Sequence, residues 1–253
     1  MQVALVTGGS SGIGQAAAVE VAKRGAAVIV TYHGNRDGGL ETAGLIEKQG
    51  GTAVALPLDV GRPETFGEFE SAVVDVLQRW GRTSFDALVS NAGVGQYPVM
   101  FPDTTEELFD QMLRVHLKGP FFLTQTLLPL ISDGGSIVFT SSTSALSTAR
   151  PEPGYSVYAS MKGAQLVLTR YLAKELSARG IRVNAVAPGV TRTRLGGDAF
   201  ARHPDLIPPV AARTALGRIG EPEDLGRVIA FLLSPEAGWI TAQTVESSGG
   251  YDL

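Results

Sequence analysis

The chain has 253 residues, 44% of them hydrophobic and 18% charged, with a formal net charge of -4, which excludes a disordered chain and speaks against a polyanion such as nucleic acid as partner. It has no cysteine, so a disulfide framework and a thiolate metal site are excluded, and its scattered histidines, His33, His116 and His203, form no metal cluster. No apolar run approaches the roughly 18 residues that a membrane span needs, so a soluble, cytoplasmic protein is expected.

Taken in order, an apolar run at 3–7 leads through a glycine-rich turn into a helical stretch at 12–24. The run at 27–31 precedes a helix at 38–49, and that at 53–58 precedes one at 63–79. Next come 87–90 with a long helix at 103–131, 136–141 with a helix at 155–179, and 182–187 with a helix at 221–233, before a short last strand at 244–246. Several strand candidates are apolar without strict alternation, the pattern of strands buried on both faces. Strand and helix alternating in this way predict right-handed crossovers and an α/β, Rossmann-like, doubly wound sheet of seven mostly parallel strands, with helices on both faces. There is no linker, repeat or low-complexity block, so residues 1–253 are read as one dinucleotide-binding and catalytic domain. The irregular stretch 189–220 follows the sixth strand, and at that carboxyl edge it is placed to cover a ligand.

The first turn reads Gly8-Gly9-Ser10-Ser11-Gly12-Ile13-Gly14. Glycine lets the backbone bend and approach a pyrophosphate, while a new helix offers unpaired N–H groups and a positive dipole end. Two rival motifs fail here. A P-loop needs Lys and Ser/Thr where Gln15 and Ala16 stand, and a nucleophile elbow at Ser10 leaves no upstream strands to build an oxyanion hole. At the end of the second strand no carboxylate appears before Asp37, whereas His33, Asn35 and Arg36 could accept a 2′-phosphate, so NADP(H) is favoured and NAD(H) stays open.

Tyr158 and Lys162 are four apart at the start of a helical pattern and share one face. A phenol titrates near 10 and needs a neighbouring cation to move a proton near neutrality. The strand at 136–141 delivers hydroxyls, Ser142 among them, to the ligand-binding edge.

Together these residues resemble the short-chain dehydrogenase/reductase family over nearly the whole chain: Thr7-Gly8 with Gly12-Ile13-Gly14, Asp59-Val60, Asn91-Ala92-Gly93, Ser142, Tyr158 with Lys162, and Pro188-Gly189. The resemblance implies hydride transfer between a nicotinamide coenzyme and a ketone, aldehyde or secondary alcohol. It implies Tyr158 as general acid/base, Lys162 binding the ribose and lowering the tyrosine pKa, and Ser142 orienting substrate. It further implies Asp59 and Val60 at the adenine, Asn91, Ala92 and Gly93 lining the coenzyme, and Pro188, Gly189, Thr191 and Thr193 at the carboxamide. A homo-oligomer, tetramer or dimer, is also implied. Three departures stand out: His116 where the family has Asn, a longer segment between Ser142 and Tyr158 that includes Arg150 to Pro153, and Ser247-Ser248-Gly249-Gly250 at the carboxyl end. Open alternatives are a non-catalytic NAD(P)-binding sensor or scaffold and, among enzymes, a 3-oxoacyl-carrier-protein reductase or a small cyclic or sugar alcohol dehydrogenase. Tyr97, Pro98, Met100, Tyr155, Leu195 and Phe200 are candidates for an apolar substrate pocket, and Arg192, Arg194, Arg202 and Arg213 allow a basic docking patch.

Overall fold

The computed structural model describes residues 1–95, 98–146 and 151–253; Tyr97 and Arg150 lie outside them. Seven strands, β1 (Val3–Val6), β2 (Ala27–Tyr32), β3 (Ala53–Pro57), β4 (Phe85–Ser90), β5 (Ile131–Thr140), β6 (Arg182–Pro188) and β7 (Thr244–Ser247), form one sheet in the order β3-β2-β1-β4-β5-β6-β7. Every pairing in it is parallel.

The doubled apolar pattern of β1 now has a cause. Val3 and Leu5 pack on one side against Phe66, Val73 and Leu127, while Ala4 and Val6 pack on the other against Ala17, Val21 and Ile229. The first side is covered by α3 (Phe66–Arg79), α5 (Gly119–Leu127) and α6 (Ser156–Glu175), the second by α1 (Gly12–Lys23), α2 (Arg36–Lys48) and α9 (Pro222–Leu233). At about 25 cal/mol per Å² of apolar surface, burial on both faces makes these strands the main stabilising layer.

The stretch read as one helix over 103–131 is broken. After α4 (Glu106–Leu113) comes a π-helical turn, Arg114–Lys118, in which the Gly119 N–H donates to the Arg114 carbonyl five residues back. Pro120 explains part of the break: it has no N–H to return to the carbonyl of His116, four residues earlier. That carbonyl is satisfied from outside the helix, by the Gln165 Nε2 amide of α6 at 2.6 Å. Residues 128–130 form a 3-10 turn, and β5 begins at Ile131, earlier than the 136 expected from the apolar run. Beyond β6 the irregular stretch holds two short helices, α7 (Leu195–Arg202) and α8 (Ile207–Ala212). No helix among the described residues is long and apolar enough to cross a membrane.

Candidate active site

In the strand order, β1 is flanked by β2 and β4, so the chain leaves it in opposite directions and opens a crevice at the carboxyl edge. A cavity of about 1270 Å³ lies there, lined by Gly8, Ser10, Ser11, Gly12, Ile13, His33, Asp59 and Val60, by Asn91, Ala92, Gly93, His116, Ser142, Tyr158 and Lys162, and by Pro188, Gly189, Thr191 and Thr193. Nineteen of the residues singled out from sequence thus meet in one space. Gly14 and Arg36 do not line it.

Gly14 serves packing. A Cβ there would stand 2.2 Å from the Gly8 carbonyl oxygen, so only glycine lets α1 start so close to β1. Gly8 has φ +64° and would press a Cβ to 2.8 Å from Ala92 Cα. Ser11 begins α1 in extended conformation without a side-chain cap, which leaves the first-turn N–H groups directed to the cavity floor, as a pyrophosphate requires. This open helix end, with a cavity large enough for a dinucleotide, fits a nicotinamide coenzyme.

Arg36 stands outside the cavity lining. It opens α2 and is exposed, and its neighbour Asn35 is already used: its Oδ1 accepts from Gly38 N at 3.2 Å and its Nδ2 donates to Ser10 O at 3.3 Å. Capping the helix at Asn35 turns Arg36 outward. Of the three groups expected to meet a 2′-phosphate only His33 lines the cavity, its Nε2 3.5 Å from Asp59 Oδ2. Arg62 lines the same region and was missed, because it lies past the third strand, where no motif marks it.

Asn91 braces the sheet. Its N–H and that of Ala92 donate to Thr7 Oγ1 at 2.9 and 3.0 Å, and its Nδ2 donates to Thr7 O at 3.1 Å. Ser141 and Lys162 lace β5 to α6: Ser141 Oγ donates to Lys162 O at 2.9 Å, and Lys162 Nζ donates to Thr140 O at 2.7 Å. Ser142 Oγ accepts from Ser144 N–H at 3.2 Å and from Ser144 Oγ at 2.9 Å, and its own proton serves the hydrogen bond to Tyr158. Lys162 Nζ lies 5.7 Å from the Tyr158 ring centre.

Burial governs the charges. It pushes the Tyr158 phenol up to about 12, opposed by a hydrogen bond from Ser142, and pulls the Lys162 ammonium down to about 7. Removal from water disfavours both charged forms. His116, only 1% exposed, is pulled down to about 3 by burial and by Lys162, and packs edge-on to Tyr158 with ring centres 5.3 Å apart.

Val94, Pro98, Leu195, Ala199, Phe200 and Leu206 give the lining an apolar part, with Tyr155 beside them, and Gln111, Arg114, Arg194, Arg202 and His203 line the same cavity. Met100 is exposed and does not line the cavity. The longer segment before Tyr158 packs at Gly154 on Pro98, and its Glu152 joins an ionic knot. Arg213 Nη2 donates to Glu152 Oε1 at 2.7 Å, and its Nε donates to Asp252 Oδ1 at 2.8 Å. Tyr251 completes the knot, under the Arg213 guanidinium at 4.7 Å from its ring centre. At the altered carboxyl motif, Ser248 packs on Gly189 and accepts from Gly250 and Tyr251 N–H at 3.1 and 3.2 Å, which shapes the turn leading to Asp252.

Such a sheet, with a glycine turn at one end of the cavity and a Ser, Tyr and Lys cluster at the other, defines a dinucleotide-dependent oxidoreductase. A family model described as enoyl-(acyl carrier protein) reductase matches residues 8–252. An uncharacterized oxidoreductase of Methylorubrum extorquens is 37% identical over 250 residues, covering 98% of this chain and 97% of that protein. A hydroxynaphthalene reductase-like protein, Arp2, of Metarhizium majus is 36% identical over 261 residues, covering 98% of this chain and 94% of its own length. Among solved structures, the promiscuous reductase LugOII, which catalyses keto-reduction at C1 during lugdunomycin biosynthesis, matches with a TM-score of 0.93 and 37% identity over 100% of this chain and 98% of its own. The landomycin C-6 ketoreductase LanV, solved with bound NADP and rabelomycin, matches at 0.88 and 35% identity over 99% and 96%. The chain belongs to the short-chain dehydrogenase/reductase family and is an oxidoreductase.

Proposed function

We propose that this protein is an NADPH-dependent reductase of a ketone carried on a fused, largely apolar ring system. The observation that carries the reading is the convergence of Ser142, Tyr158 and Lys162 on a cavity that Val94, Pro98, Leu195, Phe200 and Leu206 also line. The coenzyme, when bound, supplies the hydride. Its pyrophosphate would rest on Ser10, Ser11, Gly12 and Ile13, its adenine on Asp59 and Val60, and its carboxamide end on Pro188, Gly189, Thr191 and Thr193.

Ser142 would turn its O–H from Tyr158 to the substrate oxygen, and Tyr158 would give that oxygen a proton as negative charge develops there. A phenol held near 12 stays protonated across the working range, which suits an acid in the reducing direction. Lys162 holds the positive charge beside it. Residues 189–220 would close over the ring system through Leu195, Phe200 and Leu206. NADPH is supported by the bound NADP of LanV more than by the loop after β2, where His33 alone lines the cavity. Arg192 pairs with Glu221 and Arg213 with Glu152 and Asp252, while Arg194 and Arg202 line the cavity, so the acyl-carrier alternative is kept for the test below. Exposed Phe121, Phe122, Val167 and Tyr171 on α5 and α6 support self-association, checked by light scattering.

The test is NADPH oxidation with tetralone and larger fused-ring ketones, set against an acyl thioester and an enoyl thioester. Turnover of the ring ketones supports the reading. Turnover confined to either thioester overturns it.

A further inference from the structure

Backbone carbonyls of the glycine turn are held by side chains that lie outside it. Asn91 Nδ2 reaches the Gly8 carbonyl at 3.4 Å, and two residues at the start of the second βα unit's helix take the next two. Thr42 Oγ1 donates to the Gly9 carbonyl at 2.8 Å, and Asn35 Nδ2 donates to the Ser10 carbonyl at 3.3 Å. Thr42 and Gly9 are both buried, and no other donor reaches the Gly9 carbonyl among the described residues.

The helix that supplies these groups, α2, rests directly on the turn. Its first turn holds two glycines, Gly38 and Gly39, an unfavourable choice inside a helix. Close approach explains them. A Cβ at Gly38 would stand 2.3 Å from the Ser10 carbonyl oxygen, and one at Gly39 would stand 2.7 Å from the Tyr32 ring. Gln15 of α1 completes the arrangement: its Nε2 donates to Thr42 Oγ1 at 2.9 Å, so the threonine hydroxyl has its own proton to give. Thr42 shares that proton between the Gly9 carbonyl and the Gly38 carbonyl at 2.9 Å. Gly38 also receives the regular helical N–H from four residues on, so the turn is the partner that depends on the hydroxyl.

A trans peptide points its C=O and N–H in opposite directions. With the Gly9 and Ser10 carbonyls held against α2, the N–H groups of Ser10 and Ser11 face away from that helix. They make no hydrogen bond among the described residues, and Ser10 and Ser11 line the cavity, whereas Asn35 and Thr42 do not. Resting on the coenzyme reading above, we propose that Thr42 is a positioning residue for the dinucleotide. Through the Gly9 carbonyl it fixes the peptide plane that presents Ser10 N–H to the pyrophosphate, and Asn35 does the same for Ser11 N–H. Gln15 directs the threonine proton. The turn is thus aimed from α2, none of whose residues lines the cavity.

The experiment is fluorescence titration with NADPH and with NADH, which share the pyrophosphate, and displacement of each by adenosine 2′-monophosphate and by adenosine, which lack it. Thr42→Val keeps the shape and leaves a buried carbonyl unpaired, so affinity for both dinucleotides should fall about tenfold, against less than about twofold for the adenosine ligands. Thr42→Ser restores the hydroxyl and should return the dinucleotides to within about twofold of wild type. Asn35→Ser keeps a helix cap but loses the amide donor, and it should weaken both dinucleotides several-fold even where Thr42→Val proves too unstable to titrate. Three results overturn the assignment: an equal loss for adenosine ligands and dinucleotides, a Thr42→Ser protein no better than Thr42→Val, or dinucleotide affinity unmoved in Asn35→Ser or in folded Thr42→Val. No ketone is needed and both coenzymes are read, so failure of the ring-ketone reading or of the NADPH preference leaves this result standing on its own.

Discussion

A single oxygen separates Tyr158→Phe from the wild-type side chain, and the ring contact with His116 at 5.3 Å would survive its loss. The variant should fold and bind NADPH with its affinity unchanged, while kcat for ketone reduction falls by about 10²–10⁴, the usual contribution of a positioned proton donor. Fluorescence titration beside steady-state rates separates the two. His116 makes a different prediction. Its folded pKa, about 3, lies below the value of 6.5 for a free imidazole, so between those values the unfolded chain binds the extra proton. Stability is therefore lost as pH falls through 6.5 and keeps falling until about 3. At pH 5 the loss is about 2 kcal/mol, at 1.36 kcal/mol per unit, or roughly 4–8 °C in Tm for a chain of this size. His116→Asn should shrink the drop in Tm between pH 7 and pH 5; an identical drop in both proteins speaks against the assignment. What the sequence showed at this scale were residue types at fixed spacing. It could not show that Asn35 is spent on a helix cap, or that Gln165, an unremarked residue of an apolar helix, reaches across to His116.

Elements were legible wherever apolar periodicity was unbroken. All seven strands and the helices flanking β1, β2 and β3 fall within a few residues of their expected places, because burial on two faces writes a continuous apolar run. The long helix failed where periodicity cannot see. A π turn adds one residue without changing composition, and only Pro120, which denies a hydrogen bond to His116, hinted at it. The early start of β5 was hidden by the polar residues Ser132 and Asp133 and the two glycines after them. Close approach of elements gives a sharp test. Gly14→Ala places a methyl 2.2 Å from a backbone oxygen that is itself part of the glycine turn, so α1 must move off β1. Overpacking of this kind costs about 1–3 kcal/mol, and the displaced helix end should weaken NADPH binding at least tenfold. Calorimetry that finds wild-type affinity in a destabilised variant would detach α1 from coenzyme binding.

Across the whole molecule, the cavity has a floor and an entrance built from different forces. The floor stands on the sheet and its apolar layers. The segment leading to Tyr155, which lines the cavity, is tied by the Arg213 knot, which joins residues 152, 213 and 252, remote in the chain, through the part-exposed Arg213 and Glu152 and the nearly buried Asp252 carboxylate. Arg213→Ala should lower stability by about 1–3 kcal/mol, since it removes the cation that the nearly buried Asp252 carboxylate pairs with, and raise KM for a bulky ketone several-fold as the Glu152 segment loosens. A KM that stays put while kcat falls would place the knot's influence at the chemistry instead. Glu152 gave no hint of this join in the sequence, because nothing local marks Arg213 as its partner.

Ionic strength should therefore act on one end of the cavity and spare the other. At 1 M salt the Debye length is about 3 Å, short enough to slacken the pairing of Glu152 and Asp252 with Arg213, while oily layers under Tyr158 tighten or hold. Bulky ketones would then be admitted faster and retained less well, and small ones would notice nothing. A substrate's size thus sets how strongly brine changes its turnover.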